Sequence, residues 1–177
     1  MVLQRLFQPS THRIAGQALY EAATRQARQP AFYAELSVPD TVEGRFELYT
    51  LHVVLLIHRL RGIEGETARV SQALFDAYIQ ALDDALREMG VGDLAVAKKM
   101  RKLGEAFYGR AKGYQTILAS PDMEGLAALI ERTVYADVDQ PSTDRLVGYV
   151  QRSVAALAST SVEDVVAARL NWPEIAA

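Results

Sequence analysis

The chain has 177 residues, of which half are hydrophobic and 23% charged, with a formal net charge of −3; this composition is typical of one soluble globular domain. It contains no cysteine, which excludes disulfide cross-links, thiolate metal sites and cysteine nucleophiles. No strictly apolar run is longer than that of residues 53–57, which is far shorter than the roughly 20 residues of a membrane-spanning helix. Because residues 1–8 also lack the pattern of a secretory signal, we expect a cytoplasmic protein.

Prolines and glycines divide the chain into helix-length segments, and none of these shows the period-two alternation of a strand. The sequence therefore predicts an all-α fold, a single-domain bundle of six to eight helices over residues 1–177 with no sheet. A first helix is expected from Thr11 to Arg28, capped by Ser10 or Thr11, and a short helical turn from Pro30 to Tyr33.

The third helix carries apolar residues on almost every side between Phe46 and Leu60, a pattern that predicts the centre of the core. Asp40 is expected to cap it, with Glu43 closing a capping box. His52 and His58 flank the run 53–57 and are predicted to cap its polar ends. No two histidines stand four residues apart, so a helical metal site is not expected.

A long amphipathic helix is predicted after Gly65 and ends at Gly90 and Gly92, where a sharp helix–helix turn is expected. One face of this helix is apolar, with Val70, Leu74, Ala77, Ala81, Ala85 and Met89. The other face holds Asp76, Asp83 and Asp84, which suit either a solvated surface or a cation or acid–base site. Asp93 is expected to cap the next helix.

The fifth helix has the most regular periodicity. Its apolar residues follow at steps of 4, 3, 4, 4, 3 and 4 and are Val96, Met100, Leu103, Phe107, Ala111, Tyr114 and Leu118. The opposite face is basic, with Lys98, Lys99, Arg101, Lys102 and Lys112, and residues 87–113 carry a net charge of +4. Such a face suits an anionic membrane, an acidic protein or plain solvation; no DNA-binding motif accompanies it.

Arg110 lies beside the apolar stripe of this helix, three residues after Phe107. A guanidinium there needs a partner, and we expect an internal ion pair with Asp76 or Asp83, with a partner-binding role as the alternative. No phosphate loop or nucleophile elbow is present, so no enzymatic activity, cofactor or small-molecule substrate is expected.

Three further helices are predicted towards the end of the chain. The first follows Pro121 and runs from Met123 to Val134, and the second spans residues 146–157 behind a cap at Ser142 or Thr143. A capping box at residues 160–163 opens the third, which ends before Trp172.

Six segments resemble the ubiquinol–cytochrome c chaperone family in their order and spacing: Phe46–Leu56, Arg59–Arg61, Ser71–Asp76, Leu82–Asp93, Lys98–Met100 and Ala106–Arg110. The similarity covers about 46–114, and the combination of Leu86–Asp93 with Phe107–Arg110 is its specific part. The chain looks like a bacterial stand-alone member, because it lacks the long targeting extension of the mitochondrial members.

The resemblance implies a non-enzymatic assembly chaperone for respiratory complex III that binds newly made cytochrome b. In mitochondria the family acts with a small partner protein and near the ribosome. Contact with a ribosome or an anionic membrane, including peripheral attachment at the inner membrane, is thus a further expectation. The candidate client-binding residues are Gly90, Gly92, Asp93, Lys98, Lys99, Arg101, Lys102, Tyr108 and Arg110.

Two other functions remain open at this point. The first is a peripheral membrane or lipid-binding module that uses the basic helix, residues 98–112. The second is an enzyme or small-ligand binder centred on Asp76, Asp83 and Arg110. An exposed apolar patch beside the basic residues favours a chaperone or membrane module, whereas a closed pocket in which the three side chains converge favours the ligand binder.

Overall fold

The computed structural model describes residues 10–120 and 122–175, and the prediction of an all-α fold is confirmed. These residues form eight helices and no strand. The helices are α1 (Thr11–Ala27), α2 (Pro30–Ala34), α3 (Val42–Leu60), α4 (Glu66–Glu88), α5 (Asp93–Leu118), α6 (Met123–Thr133), α7 (Thr143–Ser159) and α8 (Val162–Val166).

Helix α3 lies at the centre of the core, as its all-round apolar pattern predicts. Eleven of its 19 residues are buried, and α1, α4, α5 and α7 pack around it. Side chains from all eight helices join one cluster of buried apolar residues. The central position of α3 fixes the position of α4 and α5, the two helices that carry the candidate site.

Helices α1 and α4 pack most closely at Gly16, which is buried. A Cβ atom at this position would lie 2.6 Å from the backbone of Ala73 and Leu74 in α4, well inside the distance at which carbon atoms repel. The two backbones therefore approach each other at a point where only glycine fits. On α5, by contrast, a Cβ atom at Gly104 would meet no atom within 4 Å.

We expect Gly16→Ala to lower the free energy of unfolding by about 2 kcal/mol, because the new methyl group must push α1 away from α4. Gly104→Ala is the matched control, since it adds the same methyl group to a helix where space is open. It should raise stability by about 0.5–1 kcal/mol, because alanine favours the helix more than glycine does. Chemical denaturation of both variants measures these changes, and equal effects in the same direction would contradict the tight crossing.

The predicted caps of α3 and α8 are wrong by one residue. Thr41, not Asp40, caps α3 and accepts a hydrogen bond from the Gly44 amide at 3.1 Å, while Asp40 pairs with Arg45 at 2.6 Å. At α8 the cap is Ser161, which accepts from the backbone amide three residues later at 3.1 Å. In both cases adjacent side chains carry a suitable oxygen, so the residue type alone does not select the cap.

His52 does not lie at a polar end of the apolar run, contrary to expectation, and is fully buried. The rings of Phe32, Tyr149 and Trp172 surround its imidazole, with centroids 5.1–5.7 Å away. Its own helix is apolar on that side too, so the position is enclosed. His58 lies nearer the surface and is only partly buried.

Candidate functional site

The turn between α4 and α5 forms the tip of a helical hairpin. Gly90 has a φ of +77°, a left-handed conformation that glycine adopts without strain. Gly92 caps α5, and Asp93 is the first residue of that helix, so the prediction that Asp93 is the cap is wrong. Gly92 supplies the extended backbone that a cap needs, which leaves the Asp93 carboxylate free to pair with Arg87 at 2.5 Å. Arg87 also binds Asp83 at 2.6 Å and so ties the turn to α4.

Apolar side chains are exposed at this tip. Leu94 is 94% exposed and Met89 55%. The predicted apolar face of α4 is therefore wrong at its end, where Ala85 and Met89 face solvent. The only apolar pair that is buried near the tip is Leu86 and Val96, and it lies outside the main core cluster among the described residues. In the last turn of α4 only Leu86 is buried, and the other residues of this turn are open to solvent.

The basic face of α5 is exposed, as its periodicity predicts. Lys98, Lys99, Lys102 and Lys112 are solvent-exposed, and in residues 10–120 and 122–175 none of them lies within 4.0 Å of a carboxylate. Arg101 approaches Glu105 at only 3.9 Å. These cations keep most of their charge uncompensated, so they can attract an anionic partner.

Tyr108 lies between this basic face and the body of the protein. Its side chain is 64% exposed, which is unusual for a large aromatic residue. Its ring contacts Phe75 and Phe107, with centroids 5.8 and 5.9 Å away. Tyr108 thus continues the buried aromatic cluster out to the surface and offers a partner an apolar ring with a polar hydroxyl.

Arg110 forms an internal ion pair, but its partner is Glu47 of α3 rather than Asp76 or Asp83. Its Nε lies 3.1 Å from both carboxylate oxygens and its Nη2 lies 2.6 Å from Oε1. Glu47 is buried, and the hydrogen bonds to it raise the pKa of Arg110. Arg110 faces α3 because it lies at the edge of the apolar stripe that packs there. Glu47 is the single carboxylate within the apolar stretch Phe46–Leu60 of α3, and this isolation is the sequence feature that points to a buried ion pair.

The two aspartates expected as partners have other contacts. Asp76 accepts a hydrogen bond from Gln72 at 2.8 Å, and Asp83 belongs to the Arg87 pair. These aspartates and Arg110 do not converge on a pocket, so the ligand-binding hypothesis loses its proposed centre. Within the described part of the chain no cluster of metal-binding side chains is found, and no helix is long and apolar enough to cross a membrane.

Comparison with known proteins places these features in a family. The family model described as "Ubiquinol-cytochrome C chaperone" matches residues 34–172, a range that extends beyond 46–114 on both sides. A crystal structure of the Cbp3 homolog from Brucella abortus superposes with a TM-score of 0.85 at 33% identity, covering 99% of this chain and 98% of that one.

The similar curated relatives are animal proteins. Ubiquinol-cytochrome-c reductase complex assembly factor 1 of Xenopus laevis is 25% identical over 86% of this chain and 77% of its own length. The Mus musculus protein of that name is 27% identical over 86% of this chain and 52% of its own length. The Homo sapiens protein is 26% identical over 90% of this chain and 54% of its own length. The chain thus spans about half the length of the mouse and human relatives.

Proposed function

Because the chain belongs to the ubiquinol–cytochrome c chaperone family, we propose that it is a non-enzymatic assembly chaperone for respiratory complex III and that its client is newly made cytochrome b. Its relatives are named as assembly factors of the ubiquinol–cytochrome c reductase complex. The observation that supports a client-binding role in this chain is the surface of α5, where uncompensated cations adjoin the exposed side chains of Leu94 and Tyr108.

The physical properties of this surface suit reversible binding of an unassembled protein. Leu94 and Tyr108 are too few to bind an apolar segment tightly, since each buried side chain of this kind contributes only about 1.5–3 kcal/mol. The lysines add long-range attraction, which accelerates encounter more than it slows release. The surface therefore suits a partner that is bound briefly and then released for assembly.

The test is a pull-down of cytochrome b from membranes of the source cell with wild type and a variant that lacks the basic face, Lys98→Ala/Lys99→Ala/Arg101→Ala/Lys102→Ala. We expect wild type to enrich cytochrome b. Enrichment by the variant should be at least about tenfold lower, which corresponds to about 1.4 kcal/mol of binding free energy. The matched control removes four exposed arginines from other helices and is Arg13→Ala/Arg25→Ala/Arg69→Ala/Arg132→Ala. It should behave like wild type.

Each outcome has a definite meaning. Equal enrichment by wild type and both variants supports the chaperone function and moves the client site away from the basic face. An equal loss of enrichment in both variants would show that binding depends on the net charge of the protein and not on the basic face. No enrichment by wild type, under conditions that preserve weak complexes, contradicts the assignment of cytochrome b as the client.

The second candidate is a peripheral membrane module, and the observation that favours it is the placement of Leu94 one helical turn before Lys98 on the same exposed face. An apolar side chain beside cations is the arrangement that inserts into an anionic lipid surface. Co-sedimentation with vesicles that contain phosphatidylserine distinguishes the two candidates. Membrane binding by wild type that disappears in high salt, together with no enrichment of cytochrome b, would favour this function over the chaperone.

A further inference from the structure

A groove of about 360 Å³ lies between the end of α3, the first half of α4 and the second half of α5. Its inner wall is apolar and includes the buried side chains of Val54 and Phe107. Phe75 and Tyr108 form one side, and their rings pack against that of Phe107. The groove is separate from the tip of the hairpin, and Tyr108 borders both the groove and the basic face of α5.

The mouth of the groove carries a cation without an acidic partner. Arg61, just after α3, is exposed, and its guanidinium lies against the side-chain amide of Gln115. No carboxylate lies within 4.0 Å of Arg61 in the described residues. An arginine above an apolar groove is well suited to a carboxylate, which it can bind through two parallel hydrogen bonds.

The length of the groove fits a short stretch of helix. Its α4 wall runs from residue 68 to residue 75 and its α5 wall from 107 to 115, so each wall is about 11 Å long at the rise of an α-helix. This distance is about two helical turns, over which a bound helix presents side chains at positions i, i+3 or i+4, and i+7 to one face.

We propose that this groove binds an amphipathic helix of a protein partner, with bulky apolar side chains on the aromatic wall and a carboxylate of that helix paired with Arg61. This inference rests on the proposed function in one respect, namely that the partner is a protein. It adds a second binding site of different chemistry, because the basic face attracts a partner by charge and the groove recognises an apolar helix face. The charge complementarity at Arg61 and the continuity through Tyr108 support this occupant.

The probe is a synthetic alanine-rich peptide of about 16 residues, long enough to form a helix, with leucines at i, i+4 and i+7 and one glutamate placed to reach Arg61. Two further peptides carry glutamine or lysine instead of the glutamate. Binding to the full chain is measured by fluorescence anisotropy, and circular dichroism checks that each protein variant keeps its helical content.

Two variants test the groove itself, each with a matched control. Ala68→Trp fills the groove from its exposed edge, and Ala97→Trp adds the same bulk to an exposed position of α5. Arg61→Glu reverses the charge at the mouth, and Arg13→Glu makes the same reversal at an exposed position of α1.

We expect Ala68→Trp to weaken binding of the glutamate peptide at least about tenfold and Ala97→Trp to leave it unchanged. Wild type should prefer the glutamate peptide to the lysine peptide by about threefold to tenfold, as an exposed ion pair allows. Arg61→Glu should invert this preference, whereas Arg13→Glu should not.

Three results would overturn the proposal: no saturable binding of the glutamate peptide, no effect of Ala68→Trp, or no inversion in Arg61→Glu. Binding of dodecanoate that Ala68→Trp abolishes, without peptide binding, would assign the groove to a small amphiphile. A dimer that Ala68→Trp converts to a monomer would assign it to a second copy of the chain. Peptide binding without capture of cytochrome b would support the groove and contradict only the proposal that cytochrome b is the client. Capture of cytochrome b without peptide binding would contradict only the groove.

Discussion

Replacing Arg110 by methionine is expected to lower the free energy of unfolding by about 3 kcal/mol, because it leaves a buried carboxylate without a cation. Only 10% of the Glu47 side chain is exposed, against 27% of that of Arg110. Methionine retains most of the volume of the aliphatic stem, so the loss reports mainly on the charge. Urea denaturation of wild type and variant measures the difference.

The double variant Glu47→Met/Arg110→Met separates the pair from its surroundings. We expect it to recover at least half of the lost stability, because two apolar side chains can replace a buried ion pair. The matched control is Arg101→Met, which removes an arginine of the same helix whose side chain is 73% exposed, and its effect should stay below about 0.5 kcal/mol. An effect of Arg110→Met as small as that of Arg101→Met would contradict a structural role for the pair.

The ion pair also orients the candidate site. It joins α5 to the central helix α3 at a point two residues after Tyr108. A buried hydrogen bond of 2.7 Å between Thr50 and Tyr78 joins α3 to α4 nearby. The ion pair has a directional geometry that apolar packing lacks, so it fixes the rotation of α5, while the hydrogen bond fixes α4 against α3. The same rotation sets which side chains of α5 face solvent.

The helices and the central position of α3 could be predicted because each depends on a pattern within one segment. The apolar stripe of α5 and the exposure of its basic face follow from the period of the helix alone. The partner of Arg110 could not be predicted in this way. Spacing places Arg110 at the edge of the stripe, but whether Glu47, Asp76 or Asp83 lies opposite depends on how three helices pack together.

The candidate site likewise combines features that one segment predicts with features that depend on how the helices pack. Leu94 lies on the side of α5 opposite Val96 and Met100, so the helical period alone is enough to predict its exposure beside the basic residues. The exposure of Ala85 and Met89 could not be predicted from the period, because their face of α4 is apolar and the position of the neighbouring helices decides whether it is covered. Residues from three helices line the groove beside Arg61, so the sequence of any one helix contains no pattern that predicts it.

The buried imidazole of His52 leads to the second large effect. Its Nδ1–H donates to the Leu48 carbonyl at 2.7 Å, and its Nε2 accepts from the Tyr149 hydroxyl at 2.8 Å. A carbonyl can only accept, which assigns the proton of the neutral ring to Nδ1. Burial raises the pKa of Tyr149 to about 12, so that hydroxyl keeps its proton. Both ring nitrogens are thus satisfied by the neutral form, and a second proton on Nε2 would force the Tyr149 hydroxyl to stop donating to the ring.

Burial lowers the pKa of His52 to about 4, against the opposing effect of the hydrogen bond to Leu48. An unfolded chain takes up this proton near pH 6.5, so between pH 6.5 and 4 the unfolded state binds more protons than the folded state. Stability therefore falls as the pH falls through this window, by about 3 kcal/mol from His52. Partial burial and the nearby Arg61 also lower the pKa of His58, which adds to the loss in the same direction.

The difference between wild type and His52→Gln isolates the contribution of the buried imidazole. Glutamine keeps a donor and an acceptor at this position but does not titrate, so we expect the variant to lose about 3 kcal/mol less than wild type between pH 7 and pH 4, whatever its stability at pH 7. Val53→Ala removes buried apolar volume from the same helix without changing a titratable group, so it should lower stability but keep the wild-type slope. Urea denaturation at half-unit steps of pH measures all three slopes, and a parallel decline in wild type and His52→Gln would show that His52 is not held neutral in the folded protein.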